Sequence, residues 1–219
     1  MLRTAMLLIA GIVSTSAPQA SDPASEAARS QDVYAVYSAL MSNPPVIGGE
    51  SNSTYAIAAA TTPANLGRGI EPAAQPATED ELLEYLKALC DAPPPGYEEQ
   101  WQEILAEFRS RSDAPVPLVP NLKIAKPYIF LTAEEIADFT SRRTSVNIPP
   151  VPIAKFGGAI SVIRLSNVYF NKTRTLAFVR ISSECGMLCG KGQGKMFEKV
   201  GAGWREVNVT GGRVCIVNS

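Results

Sequence analysis

Val33, Val36, Tyr37, Leu40 and Met41 recur at the spacing of a helix with one apolar face, and Asn43-Pro44-Pro45 ends it. Residues 54–60 form a short apolar run with strand character. The stretch 61–77 is rich in Ala, Pro and Gly and reads as a loop. Thr78 and Glu81 have capping-box spacing, and Leu82, Leu83, Leu86, Leu89 and Cys90 then line one side of a second helix, closed by Pro93-Pro94-Pro95. Trp101, Ile104, Leu105 and Phe108 give a third helix its apolar stripe, leaving Glu98, Glu99, Glu103 and Glu107 for a solvated face. Prolines at 115, 117, 120 and 127 mark an extended wrapping segment. Residues 128–131 suit a strand, and Thr132 with Glu135 caps a short helix that turns Ile136 and Phe139 inward. A second Pro-rich connector spans 147–152.

Beyond Gly158 the period changes to that of strands. Runs at 160–170, 174–183, 192–200, 204–209 and 213–217 are rich in β-branched and aromatic residues. The separators, Asn171-Lys172-Thr173, Gly186-Met187-Leu188, Gly201-Ala202-Gly203 and Gly211-Gly212, are short enough for hairpins alone. Helices first and strands later predict an α+β fold, with N-terminal and central helices packed on one face of a C-terminal antiparallel β-meander. The expected organisation is a signal peptide over 1–20 and one domain over 21–219, helical over 24–141 and β over 158–219.

The leader reading rests on Arg3, the apolar run 5–13 and the small residues through Ala20. That run falls well short of the roughly 20 residues that cross a bilayer, so cleavage is expected over an uncleaved anchor, after Ala20 or nearer Ala17. The expected location is the periplasm or the medium, with no membrane contact once the leader is removed. Of the 219 residues, 20 are basic, 21 acidic and none is His. Loss of Arg3 takes the formal charge from −1 to −2, and no basic stripe is present, which argues against nucleic acid as a partner. Without His there is no Ser-His-Asp or Cys-His set and no HExxH zinc site. No cofactor or metal is expected.

The segment Glu184-Cys185-Gly186-Met187-Leu188-Cys189-Gly190-Lys191-Gly192-Gln193-Gly194 carries the most information. A three-residue loop at 186–188 sets Cys185 opposite Cys189, with α-carbons roughly 4.5–5.5 Å apart, within disulfide range. Export favours oxidation over a four-Cys zinc site, which lacks the usual CxxC spacing, and over a redox-active CxxxC. Four cysteines allow three pairings; Cys185–Cys189 with Cys90–Cys215 uses the hairpin neighbours. Chain entropy assigns about 2 kcal/mol to the short ring and about 5 kcal/mol to the long one. Gly190, Gly192 and Gly194, spaced by two, share one face of their strand and leave it bare. Either Tyr34 or Tyr37 of the first helix fills that strip, or it is a ligand groove. The string GKGQGK matches neither phosphate-binding glycine motif.

Leu165-Ser166-Asn167-Val168-Tyr169-Phe170-Asn171, Thr175-Leu176-Ala177-Phe178-Val179, Cys185-Gly-Met-Leu-Cys-Gly-Lys-Gly192 and Glu198-Lys199-Val200-Gly201-Ala202-Gly203-Trp204 occur in that order. With the helix segment Val36-Tyr37-Ser38-Ala39-Leu40, the chain resembles a family of uncharacterised exported bacterial proteins. That family usually carries Trp in its final strand, where Cys215 stands here, a departure that favours the extra bridge to Cys90. The resemblance implies export and brings no activity.

GxSxG, SxxK, CxxC and EF-hand patterns are absent from the sequence, which removes the commonest hydrolases and metal sites. Glu184 and Glu198 as a glycosidase pair fail on register: opposite Gly190 and Leu176 they lie roughly 25 Å apart. The sequons at Asn52, Asn171 and Asn208 read as chance surface triplets, and Trp204 as a core residue of the sheet. The function expected is a non-catalytic binding or structural role. The alternative is a small-ligand or substrate-processing protein with a cavity between sheet and helix, as in cystatin-like folds.

Overall fold

The computed structural model describes residues 23–44, 53–62, 96–111, 114–142, 153–186, 189–207 and 217–218. The leader, the helix expected over 78–90, Cys90, Cys215, the connector at 147–152 and the sequons at Asn52 and Asn208 lie outside them. The fold class is α+β. Among the described residues the helices are α1 (Pro23–Ser42), α2 (Glu98–Ser110) and α3 (Ala133–Ser141). The strands are β1 (Tyr55–Ala58), β2 (Tyr128–Leu131), β3 (Val162–Leu165), β4 (Tyr169–Phe170), β5 (Leu176–Gly186), β6 (Cys189–Val200), β7 (Gly203–Glu206) and β8 (Val217–Asn218).

The strands form one mixed sheet in the order β2-β1-β3-β5-β6-β7, with β4 also beside β5 and β8 beside β6. The antiparallel meander expected from the C-terminal sequence describes β3 through β7 alone. β1 runs parallel to both β2 and β3, so strands from the helical half extend the sheet. The long run at 160–170 is two strands, because Ser166 leaves the ladder: its N–H donates to the Arg180 carbonyl and its Oγ accepts from the Arg180 N–H. The turn that follows is organised by Asn171, whose Oδ1 accepts from the N–H groups of Thr175 and Leu176 at 2.9 Å each. Asn171 is 4% exposed, which corrects its reading as a surface triplet.

Helices on one face only were expected; they lie on both. Residues directly opposite across a ladder share a face. Ala177, Val179 and Ile181 of β5 with Phe197 of β6 face α1, packing against Val36, Tyr37 and Leu40. Leu176 and Met196 face the other way, against Trp101, Ile104 and Leu105 of α2. Further along that second face Ala56, Leu131 and Val162 pack against Ile136 and Phe139 of α3. With both faces covered, β5 carries buried residues on both sides. α3 opens on the expected capping box, Thr132 Oγ1 accepting from the Glu135 N–H and the Glu135 carboxylate from the Thr132 N–H.

Two polar devices join these layers. Glu107 of α2 accepts from Arg29 of α1 at 2.6 Å and from the main-chain N–H of Phe170, while Arg29 also donates to the Val168 carbonyl at 3.1 Å. Glu107 therefore belongs to a clasp between α1, α2 and β4, not to a solvated face. The Pro-rich segment 114–127 has little ladder of its own beyond the main-chain bonds of Val116 and Leu118 to Thr61 and Ala59, and hydroxyls add to its hold. Tyr34 Oη accepts from the Val119 N–H, Ser38 Oγ from the Lys123 N–H and Thr61 Oγ1 from the Val116 N–H.

Glu107→Ala leaves the Phe170 N–H and the Arg29 guanidinium without their shared acceptor, and chemical denaturation is expected to show a loss of about 2–3 kcal/mol. Glu107→Gln, which keeps an acceptor for Phe170, is expected to lose less. Tyr37 is 1% exposed and its hydroxyl donates to the Ser166 carbonyl at 2.8 Å. Burial pushes its phenol well above the usual tyrosine range. The unfolded chain ionises this group near pH 10 and the folded chain resists, so its contribution is whole below about pH 10 and falls above it. Tyr37→Phe is expected to lose about 1 kcal/mol at pH 7 and to flatten the alkaline fall in stability.

Candidate functional site

The glycine strip lies on the second face of the sheet. Gly190, Gly192 and Gly194 stand opposite Glu184, Ser182 and Arg180, the side of β5 that also carries Phe178 and Leu176. Tyr34 and Tyr37 pack on the α1 side, so they do not fill the strip; which face each helix covers depends on non-local packing. At Gly192 a β-carbon would meet Ser182 Cβ at 3.5 Å and the Ile181 carbonyl at 3.7 Å, both on the neighbouring strand. Gly192 is itself buried and puts no side chain beside Ser182, while Gly190 and Gly194 are half-buried.

The strip sits between the cluster under α2 and the cluster under α3. Arg164 of β3 is opposite Ser182, which is opposite Gly192, so the three form one row across the sheet. Arg164 Nε lies 3.2 Å from Glu184 Oε1, with side chains 27% and 21% exposed. A guanidinium beside a carboxylate over bare backbone offers donors and acceptors for a polar ligand, and no nucleophile with an adjacent base. Sequence reasoning found the glycines and missed Arg164 and Ser182. The signal was a charged residue inside the otherwise apolar Val162-Ile163-Arg164-Leu165 run.

Glu184 and Glu198 sit where the register argument placed them, opposite Gly190 and Leu176, far apart along the hairpin. Glu198 accepts from Arg205 at 2.5 Å and from Tyr97 Oη at 3.1 Å, and these donors, Arg205 foremost, hold its carboxyl below the usual range. Trp204 packs on the α1-side core, its ring 5.7 Å from that of Phe170.

The chain reverses between Gly186 and Cys189, but the loop is shorter than expected. Gly186 pairs with Cys189, and a bulge between Glu184 and Gly186 moves Cys185 out of direct register with Cys189. Gly186 has φ 144°, a conformation that favours glycine and lets the chain turn one residue later than a loop at 186–188 requires. Cys185 is 3% exposed and disulfide-bonded. The side chains of Cys189, Cys90 and Cys215 lie outside the described set.

No helix among the described residues is long and apolar enough to cross a membrane. No family model, curated protein or solved structure matches the chain.

Because the neighbours of Gly192 lie at ordinary contact distance, Gly192→Ala is expected to fold with stability unchanged or raised by up to about 1 kcal/mol, read from the denaturation midpoint.

Proposed function

We propose that this protein is an exported, non-catalytic domain with a binding or structural role in the periplasm or outside the cell. The observation that carries the reading is how its charged groups are used: they pair across element boundaries, helix to helix, helix to strand and helix to the turn before β3. Arg29 meets Glu107, Lys199 meets Asp32 and Lys155 meets Asp138, at 2.5–2.7 Å. Groups so engaged act as fasteners, whereas acid–base catalysis needs one aimed at a reacting atom. Export is supported by the leader pattern and by the disulfide at Cys185, since such bonds persist in oxidising compartments. The one-residue offset between Cys185 and Cys189 supports Cys189 as its partner, and the resemblance to exported bacterial proteins agrees.

Expression of the full chain in a bacterial host tests the reading. Release of a processed chain starting near residue 21 is expected, together with a non-reduced tryptic peptide 181–191 lighter by two hydrogen atoms. An intact leader on a cytosolic chain with free thiols at 185 and 189 overturns it.

The partly exposed Arg164–Glu184 pair beside half-buried Gly190 and Gly194 favours a second reading, a small polar ligand seated at that end of the glycine strip. A metabolite that raises the melting temperature of the native chain and not that of Gly192→Leu supports it; a panel with no such compound removes it.

A further inference from the structure

Among the described residues β2 is an edge strand, paired with β1 on one side and with no strand on the other. β1 takes its hydrogen bonds from alternate residues: the Tyr55 N–H donates to the Pro127 carbonyl at 2.9 Å and the Ala59 N–H to the Leu131 carbonyl at 2.8 Å. In that parallel ladder residues 127, 129 and 131 face β1, so the N–H and C=O groups of Tyr128 and Phe130 point away from the sheet. No main-chain hydrogen bond engages those four groups among the described residues. The opposite edge, β7, is Gly-Trp-Arg-Glu, with Arg205 and Glu206 guarding it by charge. β2 is Tyr-Ile-Phe-Leu, uncharged, with its first three residues half-buried.

We propose that this edge pairs with the β2 of a second copy of the chain, antiparallel about a two-fold axis at Ile129. The strand is self-complementary in that arrangement. The outward groups of Tyr128 meet those of Phe130 in the other copy, and the symmetric pair does the same, giving four main-chain hydrogen bonds. Tyr128 and Phe130 share a face, their rings already 5.6 Å apart within one chain. Pairing therefore sets each aromatic ring beside one from the other copy, a favourable cross-strand combination. Ile129 falls opposite its own symmetry mate at the narrow, non-hydrogen-bonded position, with α-carbons about 4.5 Å apart.

Charge selects a second copy and this direction. Lys123 and Lys126 precede the strand, and exposed Glu134 and Glu135 follow it. Antiparallel pairing brings the lysines of each copy toward the glutamates of the other, whereas parallel pairing sets like charges side by side. The proposal is independent of what the domain binds, since the glycine strip lies beyond β1 and β3.

Sedimentation velocity on the processed chain over a range of concentrations tests it. A monomer–dimer equilibrium is expected, weakened about tenfold or more by Lys126→Glu and recovered in the double variant Lys126→Glu/Glu134→Lys. Ile129→Cys is expected to cross-link covalently to itself on oxidation, since only a residue on the axis faces its own copy. Tyr128→Cys is expected not to, its mate lying two residues along. Tyr128→Cys also gives up the hydroxyl that accepts from the Leu122 N–H, and Ile129 is half-buried, so a native circular dichroism spectrum checks the folding of every variant. A monomer at every concentration, or a dimer in which Ile129→Cys does not cross-link, overturns the proposal.

Discussion

The position of every other element follows from β5, a strand that has to be buried on both faces and paired on both edges. Its alternation is not the apolar-in, polar-out pattern of a half-solvated strand: Ala177, Val179 and Ile181 serve the α1 core, and Leu176 serves the α2 core. One edge is divided between β4 and β3, and the other is taken by β6 along nearly its whole length. A strand so enclosed needs cover from two directions, and the three helices, all of which precede it in the sequence, supply that cover, α1 on one face and α2 and α3 on the other. The charged clasp at Glu107 then fixes the two helical layers relative to each other, because one carboxylate reaches α1 and the β4 main chain together.

Burial on the second face is not uniform, and this places the candidate site. α2 and α3 each build an apolar cluster there, and between those clusters the sheet carries Arg164, Ser182, Glu184 and the glycines. A guanidinium at that depth needs an anion, and Glu184 supplies it from the neighbouring strand. The pairing is also why Glu184 is a poor choice as a catalytic acid: its role is set by the arginine beside it.

Elements marked by local chemistry were legible in the sequence. The apolar stripe of α1, the Trp101–Phe108 stripe of α2, the Thr132 capping box and the strand at 128–131 all appear where periodicity and caps put them. Register along the β5–β6 hairpin was legible too, since a tight turn leaves little choice between residues 184 and 198. What local pattern does not encode is pairing at a distance. The parallel contacts of β1 with β2 and β3 join residues about 70 to 105 positions apart, and four apolar residues in a row look the same whichever neighbour they choose. The Arg29–Glu107 bond spans 78 positions and left no trace beyond one Glu in an acidic run. The face of the glycine strip was missed for the same reason: alternation places three glycines together without saying which helix lies above them.

The central hairpin and the β2 edge of the sheet differ in how they are secured. β5 and β6 form a long hairpin with a disulfide-bonded Cys185 near its tip, so opening it requires breaking an extended ladder. β1 and β2 are four residues each, and the segment leading into β2 is tied down by hydroxyls from Tyr34, Ser38 and Tyr128 together with a few main-chain bonds, such as that of the Leu118 N–H to the Ala59 carbonyl. Each such hydrogen bond contributes about 1 kcal/mol, and the loss of one frees the next stretch of chain. The outer main-chain groups of β2 are the same ones that a second strand would satisfy, so an added strand would extend a four-residue ladder from one partner to two.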